Sequence, residues 1–149
     1  MASVHDLAAY ILKRCGPMTA MKLQKLAYYC QAWSLVWDDK PIFQARIEAW
    51  ANGPVTPALY TEHRGQFKVE RWSKGDPGKL SQSERESVDA VLDFYGKRSP
   101  LWLSELTHRE PPWLDARRGL APGERGNREI SLASMAEYYG GLYSSDGDA

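Results

Sequence analysis

Histidine, cysteine and carboxylate side chains are this chain's material for chemistry, and their spacing does not assemble it into a site. His5, His63 and His108 lie far apart, and Cys15 and Cys30 are the two thiols among 149 residues. Zinc sites announce themselves through close ligand pairs, such as Cys-x-x-Cys or two histidines one helical turn apart, and no such pair occurs. Each cysteine occupies an apolar helical position where core packing accounts for it; the alternative is a ligand or nucleophile completed in space by a histidine. His63-Arg64 is the strongest polar pair. It ends a short helix beside Gly65, where it either grips an anion or carboxylate or places cations against the C-terminal end of the helix dipole. Glu84, Glu86, Asp89 and Asp93 share the solvent side of one amphipathic helix, the pattern of a solvated face rather than of a metal cluster. Gly53, Gly65, Gly75 and Gly78 stand singly at turns and form no phosphate cradle. No catalytic set, metal site or cofactor site is expected.

The elements that would carry a binding surface are clearer. Ser3 with Asp6 reads as a capping pair before a helix over Val4, Leu7, Ala8, Ile11 and Leu12, which Gly16-Pro17 ends. Thr19 caps the next helix, expected over about 19–37. On it Leu23, Leu26, Ala27, Cys30, Trp33 and Trp37 share one broad face, Tyr28, Tyr29, Ala32, Leu35 and Val36 fall elsewhere, and Lys22, Gln24, Lys25 and Gln31 mark narrow polar strips. A helix apolar on nearly all sides is buried by several neighbours or covered by a partner, so this is the expected centre of the fold. Arg46–Ala51 and Phe67–Trp72 alternate and read as two short strands that could pair with each other. Thr56-Pro57 starts a short helix to about Arg64, Ser81 or Ser83 caps an amphipathic one, and Ser99-Pro100 and Glu110-Pro-Pro-Trp113 begin two more. Residues 119–129 form a Gly/Arg-rich loop. Ile130-Ser131 opens the last helix, with Ile130 stapled onto Met135, and residues 140–149 read as a frayed tail after a domain of residues 1–139. The expected fold is mainly α (α+β), one compact helical domain with a small two-stranded β element.

Composition narrows the partner. Nineteen basic and nineteen acidic residues cancel, although residues 1–75 carry about +4 and residues 76–149 about −4. Duplex binding draws most of its affinity from a concentrated basic field, which is missing, so nucleic acid is disfavoured. The one basic corner, Lys13, Arg14, Lys22 and Lys25 on the first two helices, leaves a DNA-binding regulator as the alternative; a helix-turn-helix would then have to bury two tryptophans and still read bases. A hydrolase built from His63, Cys30 and acidic residues is a third class. Two cysteines, no leader-like N-terminus and no bilayer-length apolar stretch predict a soluble cytoplasmic protein with no membrane partner. Six Trp, eight Tyr and three Phe are a generous supply; most belong to the core, and one or two are expected to mark a partner surface, since aromatics dominate interface hot spots. Trp102 and Trp113, each in a short proline-led helix, are the candidate partner contacts, with His63 and Arg64 beside them.

Two adjacent stretches carry a resemblance. Lys22-Leu-Gln-Lys-Leu-Ala-Tyr-Tyr-Cys-Gln-Ala-Trp33 followed by Ile47-Glu-Ala-Trp-Ala-Asn-Gly-Pro-Val-Thr-Pro-Ala-Leu-Tyr60 resembles the Panacea domain of SocA-like, phage-associated antitoxins. The likeness is strong over residues 4–65 and weaker over 84–117. It implies a mainly helical domain that neutralises a cognate toxin protein without catalysis, and, in the SocA-like branch, a proteolytic adaptor that delivers the toxin to a ClpXP-type protease through a ClpX-type unfoldase. It assigns motif positions to Lys22, Leu23, Gln24, Lys25, Leu26, Tyr28, Trp50, Gly53, Pro54, Val55, Pro57 and Tyr60, most of them structural. No DNA-binding addition of the kind some family antitoxins carry is visible, and the toxin's own chemistry does not follow from the likeness.

Overall fold

A computed structural model describes residues 1–148, with side chains through residue 145. Seven α-helices and two small antiparallel sheets pack around one helix: α1 (Val4–Cys15), β1 (Met18–Thr19), α2 (Ala20–Trp37), β2 (Glu48–Trp50), β3 (Gly53–Val55), α3 (Pro57–His63), β4 (Lys68–Val69), α4 (Gln82–Tyr95), α5 (Pro100–Arg109), α6 (Pro111–Ala116) and α7 (Leu132–Asp148), with a single 3-10 turn at Pro77–Lys79. The mainly helical, single-core architecture agrees with the sequence.

Helix α2 is the axis. It packs against α1, α4, α5, α7, β1 and β3, and from Leu23 through Ser34 every residue is buried. Trp37, placed on the apolar face by its spacing, is 39% exposed at the last residue of the helix, where it stacks on Trp33. The polar residues Gln24, Lys25 and Gln31 do not form solvent strips. All three are buried and turned inward. Gln31 shows why: its Oε1 accepts the Ile42 and Phe43 N–H groups at 2.8 and 3.3 Å, and its Nε2 donates to Phe43 O at 2.8 Å. The return strap from α2 to β2 has no regular ladder, so a side-chain amide satisfies its backbone.

The helix starts follow local chemistry. Ser3 and Asp6 close a capping box, and Asp6 Oδ1 also takes the Asp76 N–H at 2.8 Å, tying a distant loop to the start of α1. Thr19 accepts from Lys22 N, Ser81 and Glu84 make a second box, and Ser99 accepts from Trp102 N. Thr56 makes no side-chain cap; its backbone is held otherwise, as described below. The last helix is longer than its composition predicts, continuing past Gly140 to Asp148, while residues 141–145 stay exposed. Ala149 lies outside the described residues.

The strand pairing differs from the expected ribbon. Glu48–Trp50 pairs with Gly53–Val55 as a local hairpin, and Lys68–Val69 pairs with Met18–Thr19 instead. Gly53 at φ +123° lets the chain reverse within Ala51-Asn52, which delivers β3 to β2 before any distant segment can compete. The single β element expected is therefore two.

Candidate functional site

The two resembling stretches meet in space, and Gln24 is the joint. The Thr56 N–H donates to Gln24 Oε1 at 2.8 Å, and Gln24 Nε2 donates to Thr56 O at 3.2 Å and to His63 Nε2 at 2.9 Å. Both amide hydrogens are thereby used, so His63 Nε2 must accept and its ring is neutral. Burial also holds the His63 pKa below its ordinary value. One buried side chain fixes where β3 ends and where α3 begins and finishes.

Lys25 lies one residue on, 2% exposed, with its head against Gly53. A Cβ at position 53 would stand 2.7 Å from Lys25 Cε, 2.9 Å from Nζ and 3.3 Å from Thr107 Oγ1. Gly53 is thus required twice, by its left-handed backbone and by the lysine packed on its Cα. Desolvation lowers the Lys25 pKa to about 8. Lys22 is spent differently, donating from Nζ to Gly96 O at 2.6 Å at the end of α4. Trp50 meets Tyr60 edge-on at 4.9 Å and donates its indole N–H to Glu48. Pro54 and Val55 are buried, Pro57 fills the first turn of α3, and Leu23, Leu26 and Tyr28 sit in the core.

Below the joint runs a buried hydroxyl network. Tyr29 and Tyr139 each donate to Glu110 Oε1 at 2.7 Å, leaving Tyr28 to donate to Tyr139 at 3.1 Å. Burial pushes all three phenols well above the ordinary range and raises Glu110 as well. Perturbed groups of this kind can mark catalysis. Here the donors saturate one oxygen, and no cysteine or serine nucleophile hydrogen-bonds a histidine among the described residues. Burial pushes the Cys30 thiol up, making it a poor nucleophile, and His63 is engaged by Gln24. Among the described residues no group of three His, Cys, Asp or Glu side chains could hold a metal.

The sequence candidates separate. Trp113 is buried, donates its indole N–H to Trp50 O at 2.8 Å and lies under the Arg117 guanidinium. Trp102 is half-buried and covered by Arg98 at 4.6 Å, with the exposed Leu101 beside it. His63 is buried while Arg64 is exposed. The basic corner does not converge: Lys25 is buried, Lys22 is bonded to Gly96, Arg14 pairs with Asp89 at 3.2 Å, and Lys13 is exposed and makes no ion pair among the described residues. The second helix of the expected helix-turn-helix, α2, is enclosed by its neighbours from Leu23 through Ser34. The acidic face is partly structural, because Glu84 closes its capping box and Asp89 accepts from Tyr10 at 2.7 Å.

Sequence reasoning missed Arg117, which is buried and donates to the carbonyls of Ala49, Ala121 and Glu124, fastening the 119–129 loop to β2. Its spacing of four from Trp113 was the available signal. Between that loop and the hairpin lies a cleft of about 670 Å³ lined by Glu48, Trp50, Ala51, Asn52, Arg125, Gly126 and Asn127.

The fold and its central joint define a helical domain in which several polar side chains of the core, Gln24 and Gln31 among them, hold the chain's own backbone. The chain belongs to the Antitoxin SocA-like, Panacea domain family, whose match covers residues 23–114 and so spans both clamped stretches and α3 to α6. It is similar to Antitoxin SocA of Caulobacter vibrioides, 27% identical over 110 residues, covering 65% of this chain and 58% of that relative. The chain thus spans a little over half the length of the curated relative it matches. No solved structure matches it. No helix among the described residues is long and apolar enough to cross a membrane.

Proposed function

We propose that the chain is the antitoxin of a bacterial toxin–antitoxin pair, acting in the cytoplasm by binding its cognate toxin protein directly and performing no reaction of its own. Family membership carries this reading, because the match covers the segment that the Gln24 joint folds into one unit. The surface supports it. Trp37, Phe94, Leu101 and Tyr143 are large apolar side chains left exposed, and Arg98 lies over both Phe94 and Trp102. A standard interface buries about 1,600 Å² in total, and a handful of aromatic and arginine anchors supplies most of its energy. Of the four sequence candidates, Trp102 and Arg64 retain surface for such contact, while His63 and Trp113 would act by holding it in shape.

Delivery of the toxin to a ClpXP-type protease is a variant of the same function. It needs a second docking surface, for which the exposed residues 141–145 of α7, in the 140–149 segment, are a candidate facing a ClpX-type unfoldase. Co-expression with the product of the neighbouring open reading frame tests the main reading: growth is restored if the chain neutralises that product. Deleting residues 140–149 tests the variant, since toxin turnover unchanged by the deletion removes the adaptor role while leaving neutralisation intact.

A further inference from the structure

The cleft between the β2–β3 hairpin and the 119–129 loop has fixed walls and unused polar groups. Arg117 holds it from behind, donating to the Ala49 and Glu124 carbonyls, and Trp113 donates to Trp50 O. Gly126 is packed against the same support: a Cβ there would stand 2.7 Å from Leu120 Cδ1 and 3.2 Å from an Arg117 guanidinium nitrogen. On the hairpin wall the charge of Glu48 is already offset. Its carboxylate accepts the Trp50 indole N–H and the Arg46 Nε–H, each at 2.8 Å. Asn52, Arg125 and Asn127 differ from it. All three are exposed and line the cleft, and their side chains make no hydrogen bond or ion pair among the described residues. One exposed polar side chain is ordinary, because water satisfies it. Two carboxamides and a guanidinium meeting in one concavity, beside the half-buried Trp50, make a set of donors and acceptors with a common direction.

We propose that this cleft receives an extended, acidic segment of a partner polypeptide, with an Asp or Glu carboxylate on Arg125, peptide groups on Asn52 and Asn127, and an apolar side chain against Trp50. A carboxamide offers an acceptor oxygen and two donor hydrogens, the complement of a peptide group. Asn52 stands at the hairpin turn and Asn127 on the loop, one on each wall, so a chain running between them meets both. With Glu48 offset, Arg125 is the one lining charge without a partner among the described residues, and the cleft offers a net positive charge to its occupant. A guanidinium fork matches a carboxylate in two parallel hydrogen bonds. Phosphate chemistry fits less well, since it recruits a nest of backbone N–H groups or several cations, and a single arginine serves here. The volume of about 670 Å³ lies within the range of about 300–1,000 Å³ for clefts that hold drug-sized ligands, which is room for a few residues of extended chain. Tryptophan and arginine are also the side chains in which interface energy concentrates.

The partner's identity rests on the toxin-binding reading, and the test keeps the two apart. NMR of the full chain follows backbone and side-chain amides during titration with acetylated Leu-Glu-Leu amide, with the Leu-Gln-Leu counterpart and adenosine monophosphate as separate arms. Saturable shifts centred on residues 48–52 and 125–127 are expected, with the glutamine peptide about tenfold weaker for want of the charge-assisted bonds. No shift at those residues, an equal response to the two peptides, or a tighter response to adenosine monophosphate overturns the proposal. In parallel, Arg125→Gln and Asn52→Ala are expected to keep the wild-type melting temperature, because both side chains are exposed and unpartnered. They should bind the toxin of the neighbouring open reading frame about tenfold and about threefold more weakly. A wild-type chain that neither binds nor neutralises that toxin removes the antitoxin reading, while the peptide titration still decides the cleft. A wild type that binds it, with both variants binding equally tightly, overturns the cleft proposal alone.

Discussion

Replacing Gln24 by leucine isolates the joint between the two family stretches. Leucine has nearly the same helix propensity and restores most of the aliphatic packing, so the polar contribution is what changes. Two buried groups lose their partner at once, the Thr56 N–H and His63 Nε2, while the Thr56 carbonyl keeps the Leu59 and Tyr60 N–H groups. An orphaned buried donor or acceptor costs about 1–3 kcal/mol, and some relaxation around Thr56 is inevitable, so the expected loss is about 2–4 kcal/mol. That is a large share of the roughly 5–15 kcal/mol that holds a typical domain together. At about 2–4 °C per kcal/mol for a chain of this size, the melting temperature should fall by on the order of 10 °C. Urea unfolding followed by tryptophan fluorescence reads the loss as a lower midpoint at unchanged slope. A Gln24→Glu control keeps the acceptor for Thr56 N–H but aims a carboxylate at the Thr56 carbonyl and at His63, and should draw a proton onto that ring. A Gln24→Leu loss under about 1 kcal/mol, below the penalty for two orphaned groups, would refute the reasoning.

Gly53→Ala should cost about 2–4 kcal/mol, from positive-φ strain plus the collision with Lys25, and pairing it with a shortened residue 25 should recover only the collision part; full recovery in a double-mutant cycle contradicts the backbone argument. Acid should weaken the fold through two histidines. His63 accepts from Gln24 and His5 Nδ1 accepts from the Trp72 indole at 3.1 Å, and burial lowers the pKa of both below 6.5 in the folded state. Their contribution is complete above pH 6.5, where the unfolded rings are also neutral, and is lost as pH falls through the folded values. Melting temperatures that stay flat from pH 7.5 to about 5.5 would show that neither ring matters. Arg117→Met should leave the carbonyls of Ala49 and Glu124 without this donor, with Ala121 O keeping the Glu124 N–H, cost about 3 kcal/mol and speed amide exchange through residues 120–127; unchanged exchange there would mean the loop is held by something else.

What the chain discloses by itself is mostly local. Ser3, Thr19, Ser81 and Ser99 announce their helices because a cap needs only its own next three residues. The enclosure of α2 follows from apolar residues on nearly all of its faces. The sheet pairing escapes the sequence because three-residue strands carry too little alternation to choose a partner, and the deciding feature is the backbone freedom of Gly53. Gln24, Lys25 and Gln31 look like polar strips since glutamine and lysine on a helix usually mean solvent. Here the irregular segments around Thr56 and Phe43 need side-chain partners, and such a demand arises only in three dimensions. Trp113 and His63 stand out as surface candidates by residue type, but their ring nitrogens bond to Trp50 O and Gln24, one of the two lying over sixty positions away in the chain.

Purifying the chain together with the product of its neighbouring open reading frame, after testing growth of cells that make both, addresses the central claim most directly. Restored growth and a stable complex of the two polypeptides, with the toxin chemically unaltered, is the predicted result. Cells that stay poisoned although both proteins accumulate, or rescue accompanied by covalent change of the toxin, would contradict neutralisation by binding.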